Sequence, residues 1–270
     1  MAKHKTRRAA PEATGGGVAQ IQRTGDHSPE IHQRDKIDFQ LSVKTRSDLT
    51  PRQKQLIDLI MAKDSRLLFI DGPAGTSKTF LAVYCGLLLL QAHKVSDILY
   101  VRSIAESASK SLGSLPGDQN EKLNPFLMPL YDKLDELLSR ADVDKLTKDE
   151  RVSGTPINYL RGASFNARFV IADESQNLDM KELTTLVTRL GEFSKMVIAG
   201  DKDQSDINGR SGFSKFYDLF NDEESRSKGI HCFAFTKDDI VRSGILRYIV
   251  GRLEQRQAAA AKSDPMFPPK

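Results

Sequence analysis

The stretch that decides the fold of this 270-residue chain is Gly72-Pro73-Ala74-Gly75-Thr76-Ser77-Lys78-Thr79. It follows the pattern of a phosphate-binding loop, in which a glycine, four free positions and a second glycine precede a lysine and a serine or threonine. One position departs from the pattern, because Ser77 stands where the second glycine is expected. The stretch predicts a site for the phosphates of a nucleoside triphosphate.

The segments on both sides of the loop provide the context that such a site requires. Leu67-Leu68-Phe69-Ile70 is a short apolar run that predicts a buried strand, and the apolar residues of 80–90 predict a buried helix. A glycine-rich turn between a strand and a helix directs backbone N–H groups and the helix N-terminus at phosphate oxygens. We therefore expect Lys78 to contact the β- and γ-phosphates and the Thr79 hydroxyl to ligate Mg²⁺.

Ser77 leaves a question open. Its Cβ atom would point at or near the bound phosphates, where glycine leaves room. Either the loop accommodates the additional atoms and uses the hydroxyl as a donor, or binding is weakened. A turn that merely precedes a helix is the alternative without a function, but the lysine, the hydroxyl and both flanks favour a phosphate loop.

The composition bounds the class of protein. With 39% hydrophobic residues, the chain can bury the core of one α/β domain. No apolar run reaches about 18 residues and the charged start lacks the apolar stretch of a secretory signal, so we expect no membrane span and a cytoplasmic location. Cys85 and Cys232 lie in apolar segments and are interpreted as reduced core residues.

Strand and helix patterns alternate along the chain. Further strands are predicted at residues 98–101, 169–172, 196–199 and 231–235, and helices after an N-cap at Thr50 and at 123–138, 183–190, 213–220 and 238–256. Strands alternating with helices of these lengths predict an α/β fold with one parallel sheet and helices on both faces. The charged segment 141–151 is interpreted as a surface excursion that could be helical.

The two ends of the chain differ from its body. Residues 1–34 carry six basic residues against three acidic ones and include a run of three glycines, which predicts a basic, disordered tail that extends to residue 45. Such an arm can bind nucleic acid electrostatically, although charge alone does not establish that partner. We expect one folded domain at 46–257 and a flexible tail at 258–270.

Two carboxylates, Asp173 and Glu174, come directly after the apolar run 169–172. Parallel sheets bind their ligands at the carboxyl ends of the strands, where P-loop proteins hold Mg²⁺ with an aspartate. We therefore expect Asp173 to hold the metal through water and Glu174 to act as general base on the attacking water. An ordinary polar turn is the alternative for this pair taken alone.

Gln204 follows the next predicted strand, shortly after Gly200 and Asp201. A glutamine beside the γ-phosphate can orient the attacking water, so we interpret Gln204 as a third edge of the same site. Arg242 and Arg247 lie near the start of the last predicted helix, and either could stabilise the transition state as an arginine finger. A solvated helix face is the alternative, which we prefer for Arg247.

Six motifs together carry a resemblance to a known family. They are GPAGTSKT at 72–79, SLGSLPGD at 111–118, YLRG at 159–162, DESQN at 173–177, GDKDQSD at 200–206 and DDIVR at 238–242. In this order they resemble the PhoH-like, phosphate-starvation-inducible ATPases over roughly residues 48–255. That family is similar to the first RecA-like core of superfamily 1 helicases.

The resemblance implies roles that the residues alone do not. It implies a Mg²⁺-dependent ATPase in which Gln53 contacts the adenine, and it makes Arg242 the preferred arginine finger or phosphate sensor. Arg102 and Arg161 also fall in family motifs, without a defined role. The resemblance further implies that hydrolysis is coupled to RNA or single-stranded DNA.

A single core is expected, because the residues that follow Gln204 are too few for a second one of typical size. Helicase motors hydrolyse ATP between two cores, so another subunit would have to complete the cleft. The resemblance therefore implies a homo-oligomer, in the form of a hexameric ring.

Two other functions stay open at this level. A regulatory module would hold a nucleotide with negligible turnover because of Ser77. A kinase would transfer the phosphate to a second substrate. The kinase is disfavoured because Glu174 suits the activation of water and no second substrate lobe is evident.

Overall fold

The computed structural model of the chain describes residues 39–103, 119–160, 164–204, 211–241, 245, 248, 251 and 252. For residues 119–125 the description is limited to the backbone. The predicted site residue Arg242 lies outside the described residues, as do Arg161, Arg247, the SLGSLPGD motif, most of the predicted tail 1–45 and all of the predicted tail 258–270.

Within the described residues, six parallel strands form one sheet. They are β1 (Leu67–Asp71), β2 (Asp97–Arg102), β3 (Val152–Pro156), β4 (Arg168–Asp173), β5 (Lys195–Gly200) and β6 (Ile230–Ala234). Their order across the sheet is β3-β2-β4-β5-β1-β6, and every neighbouring pair is parallel. The order confirms the predicted parallel sheet and places β5 between β1, which leads into the phosphate loop, and β4, which ends in Asp173.

Alternate residues of the central strands pack on opposite faces of the sheet. In β4, Phe169 and Ile171 belong to one hydrophobic core, whereas Val170 and Ala172 belong to the other. All four side chains are fully buried. Successive strand residues point to opposite faces, so the unbroken apolar run that predicted this strand reflects burial on both of them.

Helices cover both faces, as predicted. The first core includes residues of α1 (Pro51–Met61), α2 (Lys78–Gln91), α3 (Gln119–Leu137) and α4 (Arg140–Lys148), and the second includes residues of α5 (Met180–Val187) and α6 (Phe213–Leu219). The short α7 (Glu223–Ser227) has no buried residue. None of the described helices is long and apolar enough to cross a membrane.

Helix α1 begins where the sequence predicts. The Thr50 side chain accepts the Gln53 N–H at 3.2 Å, and Gln53 Oε1 accepts the Thr50 N–H at 3.0 Å. This reciprocal capping box, with Pro51 in the first turn, satisfies N–H groups that the start of a helix leaves unpaired. It gives Gln53 a structural role that the sequence analysis did not include.

Strand β3 was not predicted, although the charged segment before it is helical in α4. Two of the five residues of β3, Gly154 and Pro156, are unfavourable in strands. Among the described strands, β3 lies at the edge of the sheet and pairs with β2 alone. An edge position tolerates proline. The pairing with β2 therefore outweighs the low strand propensity of these two residues.

The last predicted helix does not begin at Asp238. Lys237–Asp239 form a 3₁₀ turn and Ile240 is extended. The carboxylate of Asp239 accepts the Thr236 N–H at 2.7 Å and the Thr236 hydroxyl at 3.1 Å. These side-chain hydrogen bonds hold residues 236–239 in a turn. The predicted start of the last helix at Asp238 is therefore wrong. Helical conformation is present further on, at residues 245, 248, 251 and 252.

The folded body also begins before residue 46, the boundary predicted from the sequence. Leu41 is 2% exposed and belongs to the first core. The Gln91 side chain donates to the Leu41 carbonyl at 2.7 Å, and the Lys44 N–H donates to the Leu137 carbonyl at 2.9 Å. Phe39 and Val43, which alternate with polar residues on either side of Leu41, pack against the same core. This alternation of apolar and polar residues is the sequence signal for the contact.

Lys195 joins the start of β5 to the end of α1. Its ammonium donates to the carbonyl oxygens of Ile60 at 3.0 Å and Ser65 at 2.6 Å, and also to that of Ala62. Helix ends leave carbonyl groups unpaired and favour a cation beside them.

We expect Lys195→Met to lower the free energy of unfolding by about 2 kcal/mol in urea denaturation, because these carbonyl groups lose their donor. Lys228→Met, at an exposed position after α7, is the control, and equal losses in both variants would contradict this role.

Candidate functional site

Most of the predicted site residues lie at the carboxyl edge of the sheet, where the phosphate loop after β1 and the ends of β4 and β5 border a cavity of about 360 Å³. Those that line the cavity are Ala74, Gly75, Ser77, Lys78, Thr79, Asp173, Glu174 and Gln204. Ligands of open parallel sheets bind at this edge. The structure therefore forms a cavity where the strand ends predicted a site.

The phosphate loop takes backbone conformations that favour glycine. Gly72 has a φ of +151°, and a Cβ atom at this position would lie 2.7 Å from the Phe235 Cβ. Gly75 has a φ of +93°. Thr76 is buried and donates its hydroxyl to the Pro73 carbonyl at 3.0 Å. These features give the turn between β1 and α2 a compact, internally bonded form.

Ser77 has the left-handed conformation that glycine adopts most easily. Its φ and ψ are 67° and 26°, and its carbonyl accepts the Leu81 N–H at 2.9 Å as α2 begins. For a residue with a side chain this conformation costs about 1–2 kcal/mol. Ser77 therefore keeps the backbone path of the loop, with strain, and adds its side chain to the cavity wall.

Lys78, the first residue of α2, bends back over the loop. Its ammonium donates to the Pro73 carbonyl at 3.1 Å and also to the Gly72 carbonyl. Burial lowers the pKa of Lys78, and the negative charges of Asp201 and Asp173 oppose this shift. The ammonium is thus a partly buried cation at the cavity wall, where an anion can contact it.

Asp173 lies between two hydroxyl donors. Its Oδ1 accepts from the Thr79 hydroxyl at 2.9 Å, and its Oδ2 accepts from the Tyr100 hydroxyl at 2.6 Å. The aspartate is 4% exposed. Burial, followed by the charge of Asp173, raises the pKa of the Tyr100 phenol, which therefore keeps its proton and acts as the donor. The sequence predicts no role for Tyr100, because its position inside a strand indicates only a core residue.

Glu174 lies beside the cavity with its side chain 43% exposed. Its φ of 51° turns the chain sharply at the end of β4. The Gln176 amide donates to Glu174 Oε2 at 2.7 Å, and an Arg102 guanidinium nitrogen lies 3.7 Å from Oε1. The carboxylate is held by two neighbours and remains open to water.

Gln176 links the ends of β4 and β5. While its amide nitrogen contacts Glu174, its Oε1 accepts the Asp201 N–H at 3.2 Å. Burial raises the pKa of the Asp201 carboxyl, and the hydrogen bond from the Asp203 N–H opposes that shift. A role for Gln176 was not predicted, although an amide two residues after Glu174 is a signal for one.

Gln204 lies just beyond β5 and lines the cavity with an exposed side chain. Its N–H donates to the Asp201 carbonyl at 3.2 Å, which forms a turn after the strand. The structure thus brings Gln204 to the same cavity as Lys78 and Glu174.

A second cavity, of about 180 Å³, adjoins the first. The lining residues that the two cavities share are Ser77, Phe80, Lys133 and Val241. Gln53 lines the second cavity, and the Arg46 guanidinium lies 4.8 Å from the centroid of the Phe80 ring. An aromatic ring with a few polar groups beside a phosphate loop can accommodate a nucleoside base.

The oxygen atoms between α2 and β4 suit a hard cation. Mg²⁺ is commonly bound by one or two carboxylates together with phosphate oxygens and several waters. The Thr79 hydroxyl and the Asp173 carboxylate are donors of this kind. In the described part of the chain, no group of three or more His, Cys, Asp or Glu side chains could hold a metal ion. A metal at Thr79 and Asp173 would therefore need phosphate ligands as well.

The fold and the phosphate loop define the class of protein. A parallel sheet with helices on both faces, a glycine-rich loop between β1 and α2, and a strand-end aspartate facing that loop are the features of a P-loop NTPase with a RecA-like core.

Comparison with known proteins identifies the family. The family model described as PhoH-like protein matches residues 45–254. The PhoH-like proteins of Mycobacterium tuberculosis and Mycobacterium bovis are each 35% identical over 243 residues, which cover 89% of this chain and 66% of theirs. That of Bacillus subtilis is 35% identical over 190 residues, 70% of this chain and 58% of its own length.

The chain belongs to the PhoH-like family, as the six motifs indicated. It spans about two thirds of the length of the mycobacterial relatives that it matches. Membership places it among P-loop proteins that bind nucleotides.

Proposed function

We propose that this chain binds Mg²⁺-ATP at the carboxyl edge of its sheet and hydrolyses it. The observation that supports this most directly is the hydrogen bond of 2.9 Å between the Thr79 hydroxyl and Asp173, which joins the phosphate loop to the end of β4. In P-loop NTPases a loop hydroxyl and a strand-end aspartate hold one Mg²⁺ together. Lys78 and Glu174 line the same cavity.

The phosphates would lie along residues 72–79. Backbone N–H groups at the start of α2 would donate to the phosphate oxygens, and the helix N-terminus favours their negative charge. The Lys78 ammonium would exchange the carbonyl groups of Gly72 and Pro73 for the β- and γ-phosphates, which gives stronger, charge-assisted hydrogen bonds. Mg²⁺ held by Thr79 and Asp173 would neutralise charge on the same phosphates.

The base would occupy the smaller cavity. Gln53 lines this cavity, and the family resemblance assigns it to the adenine. Its Oε1 already accepts the Thr50 N–H. Because an amide oxygen has two lone pairs and the amide nitrogen two protons, the capping role leaves donors and an acceptor for a base.

Glu174 would act as general base. Its carboxylate is near the loop and open to solvent, so it can take a proton from the water that attacks the γ-phosphate. Gln204 would orient that water from the end of β5. The contacts of Gln176 and Arg102 would fix the direction of the carboxylate.

The proposed assembly of the chain and its proposed partners rest on the family resemblance. Arg242 of a neighbouring subunit would stabilise the transition state in a homo-oligomer, which we propose to be a hexameric ring. Hydrolysis would be coupled to RNA or single-stranded DNA in the cytoplasm. Turnover measured with and without each nucleic acid, on protein of known oligomeric mass, tests these parts.

Phosphate release from ATP is the test of the activity itself. With Mg²⁺ we expect the full chain to release free phosphate in the same amount as the ATP consumed, and EDTA should stop the reaction. Loss of ATP without free phosphate would support a kinase. Binding of ATP without its loss would support a regulatory module.

Ser77→Gly tests the regulatory alternative, which the strained left-handed Ser77 favours. Because the backbone at Ser77 already follows the path that glycine would take, we expect the replacement to change turnover by less than about tenfold, the equivalent of roughly 1.4 kcal/mol. Phosphate release is measured for both proteins under the same conditions. A wild-type protein without turnover that becomes active in Ser77→Gly would contradict the proposed function.

A further inference from the structure

Tyr100 lies in the middle of β2 with its hydroxyl at the candidate metal site. Its register partner in β4 is Ile171, two residues before Asp173. Residues two apart in a strand point to the same face, so Asp173 and Tyr100 share the face that α2 covers. The tyrosine is fully buried, and its hydroxyl donates to Asp173 Oδ2 at 2.6 Å.

The two hydroxyl donors fix the orientation of the Asp173 carboxylate. Thr79 occupies Oδ1 and Tyr100 occupies Oδ2, at 2.9 and 2.6 Å. Thr79 would turn its oxygen toward a metal ion when one binds, and the hydrogen bond from Tyr100 would then be the contact that keeps the carboxylate in place. Groups that orient a metal-binding carboxylate in this way tune the affinity of the site for its metal.

We propose that Tyr100 is a positioning residue that sets the Mg²⁺ affinity of the nucleotide site by orienting Asp173. The inference rests on the proposed function, because it requires that Thr79 and Asp173 hold the metal. It goes beyond that function by adding a residue from β2, a strand to which the proposed function assigns no contact with metal or nucleotide.

Tyr100→Phe separates this role from packing. Phenylalanine keeps the buried ring and removes only the oxygen that contacts Asp173. A residue that merely fills the core would tolerate the change without an effect on the metal. Tyr217→Phe removes the same atom from another buried tyrosine, which lies in α6 on the other face of the sheet and lines neither cavity.

The experiment measures the affinity for a fluorescent ATP analogue as a function of Mg²⁺ concentration and again in EDTA. For Tyr100→Phe we expect the Mg²⁺ concentration at half-saturation to rise by about tenfold or more. The affinity in EDTA should stay close to those of Tyr217→Phe and the wild type, and the unfolding temperature should fall only by the effect of one lost hydrogen bond.

The outcomes separate the inference from the proposed function. A half-saturation point for Tyr100→Phe within a factor of about two of the wild type would overturn the inference, since tuning by an outer contact is typically larger. Equal losses of affinity with and without Mg²⁺ would also overturn it, because they indicate damage to the fold. A wild-type protein whose nucleotide binding does not respond to Mg²⁺ would overturn the proposed metal site, and the inference with it.

Discussion

Replacing Glu174 with glutamine should lower ATP turnover by about 100- to 10,000-fold, because the general base is lost. Glutamine has nearly the same shape and retains an oxygen that can accept from Gln176, but it does not take up a proton. The affinity for Mg²⁺-ATP should therefore change little. Steady-state phosphate release and a nucleotide titration on the same preparation measure the two quantities.

Glu192→Gln is the matched control for this prediction. Glu192 is exposed and lies before the amino end of β5, at the edge of the sheet opposite the cavity. The Glu192→Gln variant should hydrolyse ATP at the wild-type rate. Turnover by Glu174→Gln at the wild-type rate would show that Glu174 is not the base, and a parallel loss in Glu192→Gln would indicate a general effect of the charge.

Lys78→Ala should lower the affinity for Mg²⁺-ATP by about 100-fold or more, the equivalent of roughly 2.7 kcal/mol. The Lys78 ammonium lies at the wall of the cavity, so its loss would leave phosphate charge without a partner. The measurement is a titration of the wild type and the variant with ATP and Mg²⁺.

Lys215→Ala controls for the loss of a lysine elsewhere. Lys215 is exposed in α6 and lines neither cavity, so its replacement should leave the affinity unchanged. Unfolding curves of both variants confirm that they are folded, since Lys78 also bonds to carbonyl groups of its own loop. Equal affinity of Lys78→Ala and wild type would place the nucleotide elsewhere.

The sequence predicts the centre of this fold well, because local signals and tertiary packing agree there. The phosphate loop lies between an apolar strand and an apolar helix, and both are buried as their composition indicates. Asp173 ends one equally apolar strand and Gln204 lies just after another. The rule that parallel strands bring their carboxyl ends to one edge was sufficient to predict that they meet.

Contacts across neighbouring strands could not be predicted, because they depend on strand order and register. Arg102 pairs in register with Asp173 only because β2 lies beside β4. The same arrangement brings the Tyr100 hydroxyl to the Asp173 carboxylate. From the sequence, Tyr100 is only a large residue in a buried strand. The motif that contains Gln176 likewise does not predict which strand end the Gln176 amide contacts.

Weak local signals account for the remaining differences. Strand β3 contains a glycine and a proline, and it forms because it pairs with β2 at the edge of the sheet. Leu41 packs on the core from a segment that is neither strand nor helix, and Asp239 turns the chain where a helix was expected. In each case the deciding interaction is a long-range contact or a side-chain hydrogen bond, and not the propensity of the segment.

A crystal structure of the full chain with Mg²⁺ and a non-hydrolysable ATP analogue tests the central claim most directly. We predict that the phosphates lie against residues 72–79 and that Mg²⁺ is about 2.0–2.1 Å from the Thr79 hydroxyl oxygen, the usual distance for this ion. Asp173 should face the same ion directly or through a bound water. A nucleotide bound away from this loop, or a metal ion held without Thr79 and Asp173, would contradict it.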